Sequence, residues 1–527
     1  MSKQLGILLV TICVAILGLT ATGAYHPTNI QTPRGSSSAS SASYARIQKI
    51  EKGIEPVEVS NGVATIPLDV ESLMKTFHVP GMSVALVDNY QIAWTKTYGV
   101  IAPGSSTAVT NRTLFQAGSI SKPVAATGMM VLVQNGELSL DEDVNTKLKT
   151  WKVPENEFTK NQKVTLRRLA SHSAGLTVHG FPGYDIDEKI PTLVEVLNGE
   201  KPANTAPVRV DFVPGTDERY SGGGITIEQL LMMDVSGQQF PALMKASVLD
   251  KIGMADSSYE QPLPAARAAM TAGGDNGDGK PVHGKWHIYP EMAAAGLWTT
   301  PTDLAKFVIE IALSKQGKSN KILSQKSVQE MLTPQSKDFG IGFALNAKRP
   351  GEFGHDGADD GFQAVVVMNA DTGQGAAIMA DSNNGITVAY EYLRSLAKEY
   401  AWKYPRNPRS AGMQIELLAQ LKGLDAALAR YDELKKSPDP KNRPEESLLN
   451  EVGYGYFRFG QFDESIRVFQ KNVQEYPQSS NVYDSLGEAY AAAGKKDLAI
   501  ANYEKSIELN PKNENGIQRL KKLKEQP

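Results

Sequence analysis

The last quarter of the chain repeats with a period of 34 residues. Gly453, Tyr456, Phe469 and Pro477 return as Gly487, Tyr490, Tyr503 and Pro511, and Ser465 returns as Ala499. A unit of that length holds two helices and a turn. One unit cannot bury its own apolar face, so successive units must stack. The small residue at 465 and 499 suits a place where two helices cross closely. The pattern sets clear units at 446–479 and 480–513, inside an all-helical solenoid spanning 406–527. A weaker unit precedes them, because Asp425 to Tyr431 lines up with Asp497 to Tyr503. Glu514 to Lys524 is polar enough to cap an exposed end. A chain of 527 residues built this way cannot share one core, so the residues before 406 must form something else.

The N-terminus stands apart as well. A lysine at position 3 is followed by an apolar stretch from Leu5 to Leu19, then by small residues up to Ala24. That order describes a secretory signal cleaved after Gly23 or Ala24. The competing reading is an uncleaved anchor, since the run is nearly long enough to span a bilayer. Residues 1–24 are therefore expected to be a signal peptide of a periplasmic or extracellular protein, held at the inner membrane only if the segment is uncleaved. Residues 25–60, with their Ser- and Ala-rich stretch from Ser36 to Ser43, are expected to be a tether. The single cysteine, Cys13, lies in the signal, so the mature protein can form no disulfide. A net charge of −3 shows no basic bias, and nucleic acid is not expected as a partner. No CxxC, HExxH or paired His/Cys spacing supports a metal site, and no cofactor is expected.

Residues 61–405 read as one globular domain. Met82 to Val87 and Gln91 to Tyr98 flank a short polar turn and form a strand hairpin. Phe362 to Asn369 and Gly375 to Ala380 are two later β-type runs, and Thr387 to Tyr400 is a closing helix. Helical segments broken by Gly- and Pro-rich loops fill most of 164–253. Strands at both ends with helices between predict an α/β sheet domain with a helical insertion. Within it, Ser119 precedes Lys122 by three positions at the head of the apolar run Val124 to Val133. On a helix those side chains are neighbours, so the ammonium can reach the hydroxyl. A helix start also offers unpaired N–H groups to developing negative charge. Ser395 and Lys398 repeat the spacing, in a run expected to be a solvated helix face. Ser119 stands above that pair because Tyr220-Ser221-Gly222 and His355-Asp356-Gly357 follow it in order. No Gly-x-Ser-x-Gly elbow is present, so the common α/β-hydrolase arrangement is not supported.

With these elements in place, Ile66 to Tyr400 resembles the serine β-lactamase and penicillin-recognising enzymes. The likeness is to the class C branch, which also holds D-alanyl-D-alanine carboxypeptidases, D-aminopeptidases and esterases. Leu169 to Leu176, Phe212 to Thr216 and Ala294 to Ala305 look like further landmarks of that family. The 34-residue units resemble tetratricopeptide repeats. The fold these resemblances imply is a β-lactamase/transpeptidase-like antiparallel sheet flanked by helices, with a helical insertion. An all-α tetratricopeptide solenoid would follow it.

The resemblance also implies roles. Ser119 would be the nucleophile and Lys122 the first candidate for its base. Tyr220 would act as base toward Ser119 and then as acid toward the leaving group. The backbone N–H groups of Ser119 and Ala358 would form the oxyanion hole. His355 would hydrogen-bond a substrate carboxylate or tune Tyr220, and Gly357 would let substrate lie close to its strand. Gly222 stands where the family often has an asparagine that contacts the amide of a β-lactam or peptide. Its presence counts against efficient β-lactam hydrolysis. Asp356, in place of a small or hydroxylated residue, should disfavour acidic substrates. His172 and Asp303 are expected to cap and hold loops, while His283 and His287, around Trp286, leave cleft wall and surface loop both open. The expected function is a secreted serine hydrolase acting through an acyl-enzyme on an ester, a D-amino-acid peptide or a β-lactam amide. Its repeats would bind a protein partner whose identity the sequence does not give. The alternative is a catalytically weak penicillin-binding or scaffold protein whose main role is partner binding by the repeats.

Overall fold

The central strands carry apolar side chains at nearly every position, which demands cover on both faces. The computed structural model describes residues 30–31, 41–60, 64–403, 406–407, 409–438 and 443–525, and supplies that cover. Seven strands pair antiparallel in the spatial order Ile30–Gln31, Gln91–Gly99, Gly81–Asp88, Gln374–Ala380, Phe362–Asn369, Glu352–Asp359 and Ala344–Leu345. On one face Ala364, Val366, Met368 and Met379 share a core with Leu304 and Phe307 of helix Pro301–Lys315. On the other, Val365, Val367 and Ile378 share a core with Val388, Tyr392 and Leu396 of helix Gly385–Glu399. Gly81–Asp88, Gln91–Gly99, Phe362–Asn369, Gln374–Ala380 and the closing helix fall within a residue or two of their sequence-predicted bounds.

Between the hairpin and the later strands lies the mostly helical region. Its central helix, Ser121–Gln134, is apolar all round and buried from Ser121 through Met130, as expected of a helix enclosed by neighbours. The 3-10 turn Gly118–Ile120 leads directly into it, so Ser119 sits at its head.

The N-terminal segment 1–24 lies outside the described residues. The tether expected over 25–60 ends earlier than its composition suggests. Ser41–Lys52 is a helix with Ile47 and Ile50 buried, and Val57–Ser60 pairs with Ala64–Ile66. Ile47, Ile50 and Ile54 are spaced as one helical stripe, and that stripe completes the core over helix Gly385–Glu399. The same packing corrects the reading of Ser395. It is buried rather than solvated, and its hydroxyl donates to Ile50 O at 2.7 Å.

The repeats are helix pairs: Ala411–Lys422 with Leu424–Lys435, Glu446–Arg458 with Phe462–Glu475, and Ser480–Ala492 with Lys496–Leu509, followed by Glu514–Glu525. Their recurring residues mark helix crossings. The Ser465 hydroxyl donates to Gly453 O at 2.9 Å, and a Cβ on Gly487 would lie 3.2 Å from the Tyr503 ring. The repeats dock on the sheet domain, with Leu417 and Leu418 of the first pair and Phe459, at the end of helix Glu446–Arg458, completing the outer sheet core. Arg409 locks the junction. It donates from Nε and Nη2 to the two oxygens of Glu391, both at 2.8 Å, and to the carbonyls of Glu55 and Pro56. Both side chains of that pair are fully buried. Arg409→Ala would leave Glu391 with Arg394 alone as counter-charge. We expect that to cost on the order of 3 kcal/mol, read as a lower urea midpoint. A cost under about 0.5 kcal/mol would show that the junction does not depend on the pair.

Candidate active site

Two glycines decide how the site is assembled. Gly118 takes φ +50, and a Cβ there would collide with the Ala358 backbone. A Cβ on Gly357 would collide with Ala117 O. Strand Glu352–Asp359 therefore lies against the Ser119 turn at backbone contact. Asp360 and Gly361 make the two-residue hairpin turn that follows, with Gly361 at φ +80. In such a hairpin the closing pair, Asp359 and Phe362, is hydrogen-bonded, and the next pair, Ala358 and Gln363, is not. The Ala358 N–H thus points off the strand edge, toward Gly118. Alternation along the strand turns His355, Gly357 and Asp359 toward the helix head and Gly354, Asp356 and Ala358 away from it.

Lys122 is the hub. Its side chain is buried, and Nζ donates to Ser119 Oγ at 2.8 Å and to Ala294 O at 2.7 Å. Nζ also lies 5.0 Å from the centroid of the Tyr220 ring. That ring is set among His172 at 4.2 Å, His179 at 4.9 Å and His355 at 6.0 Å. Ser221 anchors Tyr220 in the chain by capping helix Gly222–Ser236, its hydroxyl accepting the Gly224 N–H. The Ser221 N–H donates to His172 Nδ1 at 3.2 Å.

Both buried histidines are neutral, and their hydrogen bonds fix where the protons sit. Burial, with Lys122 nearby, pushes His172 well down, and its Nδ1 is an acceptor. Burial and Lys122 push His355 down to about 4. Its Nδ1 lies 2.6 Å from Asp356 O and must carry the proton, which leaves Nε2 a buried acceptor without a partner among the described residues. Such an imidazole cannot donate to a substrate carboxylate, so of the two roles expected of His355 only the tuning of Tyr220 fits. Asp356 also departs from expectation. It faces away from Ser119 and accepts the Tyr390 hydroxyl, so it does not act on the acylating cleft.

Four of the sequence-predicted side chains converge here: Ser119, Lys122, Tyr220 and His355, with the Gly357–Ala358 backbone alongside. Gly222 is buried one step beyond. A Cβ there would lie 3.0 Å from the Phe181 ring and 3.1 Å from His179 O, so an apolar ring holds the wall where an asparagine would project. Asp303 holds a loop as expected, accepting the Asp256 N–H and the Ser257 hydroxyl. His283 and His287 clamp two loops together, through Asp187 at 3.5 Å and Asp185 at 3.1 Å. The sequence reading missed Asp359. Its carboxyl is buried, and burial raises it against the opposing pull of Lys122. Period-two alternation from Gly357 was the signal that could have found it. It also missed the packing of Phe181, His179 and Phe339, which lie on loops without periodicity.

A family model described as Beta-lactamase matches residues 69–398, and one described as Tetratricopeptide repeat matches 480–513. The chain belongs to the β-lactamase family. This family member is 29% identical over 242 residues to a β-lactamase of Pseudomonas fluorescens, covering 45% of this chain and 62% of that protein. It is 26% identical over 354 residues to penicillin-binding protein 4 of Amycolatopsis lactamdurans, covering 63% and 88%. Unguisins hydrolase ungD of Aspergillus violaceofuscus is 24% identical over 360 residues, with 60% of each chain covered. The β-lactamase family member thus spans less than two thirds of the first and third of these relatives. Its fold is shared with the octameric penicillin-binding protein homologue from Pyrococcus abyssi, at a TM-score of 0.54 and 21% identity over 67% of this chain and 80% of that one. By their names these relatives are a β-lactamase, a penicillin-binding protein and a hydrolase.

Two carboxyls near the site give it a pH signature. Glu228 and Glu291 are fully buried with no partner for either oxygen among the described residues, and burial pushes each up to about 8. Each keeps, when folded, a proton that the unfolded chain sheds above about 4.5, so stability is lost as pH climbs from there toward 8. The neutral histidines oppose this only below their unfolded value of about 6.5. Between about pH 6.5 and 8 the melting temperature should fall as pH rises, and Glu228→Gln should flatten the decline. An unaltered decline in that variant would mean the carboxyl is already ionised in the fold.

Proposed function

We propose that this protein is a secreted serine hydrolase that works through an acyl-enzyme on Ser119. Its substrate is a carboxylic ester or a D-amino-acid peptide in preference to a β-lactam. The observation that carries the reading is the 2.8 Å bond between the buried Lys122 Nζ and the partly exposed Ser119 Oγ at a helix head. As Ser119 Oγ attacks the carbonyl carbon, its proton passes to the Tyr220 oxygen, which acts as the phenolate base, while the Lys122 ammonium stays protonated and holds Ser119 Oγ. The oxygen that gains negative charge is received by the Ser119 and Ala358 N–H groups. Tyr220 returns the proton to the leaving group, and water then repeats the sequence in reverse to free the acid. His172 holds Tyr220 in place through the Ser221 N–H, and His355 offers its bare Nε2 on the Tyr220 side.

The substrate preference rests on Gly222 and Phe181. A wall made by an aromatic ring offers no donor or acceptor to an acylamide group, whereas an ester with an apolar acyl chain gains by packing against it. Secretion rests on the charge, apolar run and small residues of 1–24. The repeats, which carry no chemistry of their own, supply a surface for a protein partner.

Turnover of p-nitrophenyl butyrate and of a chromogenic cephalosporin tests this. Ester turnover should fall at least about a hundredfold in each of Ser119→Ala, Lys122→Ala and Tyr220→Phe. Full turnover in Tyr220→Phe would remove the phenol from the proton relay. Cephalosporin cleavage as fast as ester cleavage would show that the Phe181 wall sets no preference. If neither substrate reacts, and wild type equals Ser119→Ala, the scaffold reading takes over.

A further inference from the structure

The face of strand Glu352–Asp359 that turns away from Ser119 borders a second cavity, of about 480 Å³. Gly354 and Asp356 contribute from that strand, Val365 and Val367 from its neighbour, and Tyr390 and Leu393 from helix Gly385–Glu399. Ser119, Lys122 and Tyr220 do not line it. His355 and Phe339 border both the cavity and the Tyr220 cluster.

Its polar lining carries three guanidiniums, those of Arg349, Arg394 and Arg406, and two carboxylates, Glu352 and Asp356, while Arg394 pairs outside the lining with Glu391, which Arg409 also holds. Glu352 is shared, accepting from Arg349 Nη1 at 3.3 Å and Arg406 Nη1 at 3.0 Å. Asp356 accepts the Tyr390 hydroxyl. What is left over is one edge of Arg406. Its Nε and Nη2 are buried without a hydrogen-bond partner among the described residues, and its side chain is only 9% exposed. Arg394 Nε is buried and unpartnered in the same way. An arginine stays charged in a protein, so buried guanidinium donors call for an acceptor. The Nε and Nη2 hydrogens point in parallel and are spaced to meet the two oxygens of one carboxylate. Beside them the wall turns apolar, with Val365, Val367 and Leu393.

We infer that this cavity is a binding site for an organic carboxylate with a short apolar chain. The carboxylate takes the Nε–Nη2 edge of Arg406, which turns into the cavity to meet it, and the chain runs along Val365, Val367 and Leu393. Arg406 belongs to the segment that joins the catalytic domain to the repeats, so the occupant bridges that segment and the strand that carries His355. The site does not depend on the hydrolytic reading.

Calorimetric titration of the full chain tests this, with sodium hexanoate, hexanol and inorganic phosphate as probes. Hexanoate should bind and raise the melting temperature, with hexanol and phosphate each at least about tenfold weaker. Arg406→Gln should weaken hexanoate by at least about tenfold, and so should Arg406→Lys. The lysine variant keeps a charge toward Glu352 while losing the two-donor edge, so it reads the same loss if the glutamine variant folds poorly. Hexanoate binding that persists in both variants would overturn the assignment. Hexanol equal to hexanoate would remove the carboxylate from it, and phosphate equal to hexanoate would remove the chain.

Discussion

Everything chemical in this protein hangs on one backbone-to-backbone approach, between the turn Gly118–Ile120 and strand Glu352–Asp359. It is possible only because neither Gly118 nor Gly357 carries a side chain. The approach brings the edge-facing Ala358 N–H to the Ser119 turn and flanks Lys122 with His355 and Asp359. Lys122 then loses its water. What replaces the water is fixed: the Ser119 hydroxyl, the Ala294 carbonyl, the Tyr220 ring and, more distantly, the Asp359 carboxyl. Burying an ammonium is costly unless such partners are supplied. Partners already in position also need no reorganisation when charge moves, which is the property an acylating site requires.

The same buried cation explains the state of the histidines around it. A protonated imidazole beside Lys122 would add like charge in a dry setting, and both His172 and His355 resolve this by staying neutral. Neutrality gives each ring one donor and one acceptor, and the neighbours assign them. His172 turns its lone pair to the Ser221 N–H and so holds the residue after Tyr220. His355 gives its proton to Asp356 O and keeps its lone pair on the cleft side. Proton positions on these two imidazoles follow from packing rather than from solution pH across the neutral range.

Sequence patterns exposed the parts of the design that are local. The strands announced themselves by apolar runs, and the repeats by the 34-residue recurrence of residues at helix crossings such as Gly453 with Ser465. The Ser119–Lys122 pair was legible because an i, i+3 spacing at a helix head is itself geometric. Other features needed the third dimension. Asp356 sits inside a motif, yet pleating turns it to the far side of the strand, while Asp359, outside the motif, points in. Helix Ser41–Lys52 was masked by serine and alanine, although Ile47 and Ile50 within it and Ile54 just beyond it carried the stripe. Phe181 reaches the wall beside Gly222 from a loop, and no periodicity forecasts a contact of that kind.

Helix Gly385–Glu399 joins these levels. Its Val388, Tyr392 and Leu396 close the outer sheet core, its Glu391 receives Arg409 from the start of the repeats, and its Tyr390 holds Asp356 on the strand that carries His355. A partner pulling on the repeats would act first on the Arg409–Glu391 pair, and breaking a fully buried pair leaves a charge stranded. The repeats are therefore a fixed extension of the catalytic domain, not an appendage on a loose linker. Any partner they bind is held at a set distance and orientation from the mouth of the Ser119 site. A solenoid seated in this way presents its surface beside the sheet whose strands build the Ser119 site.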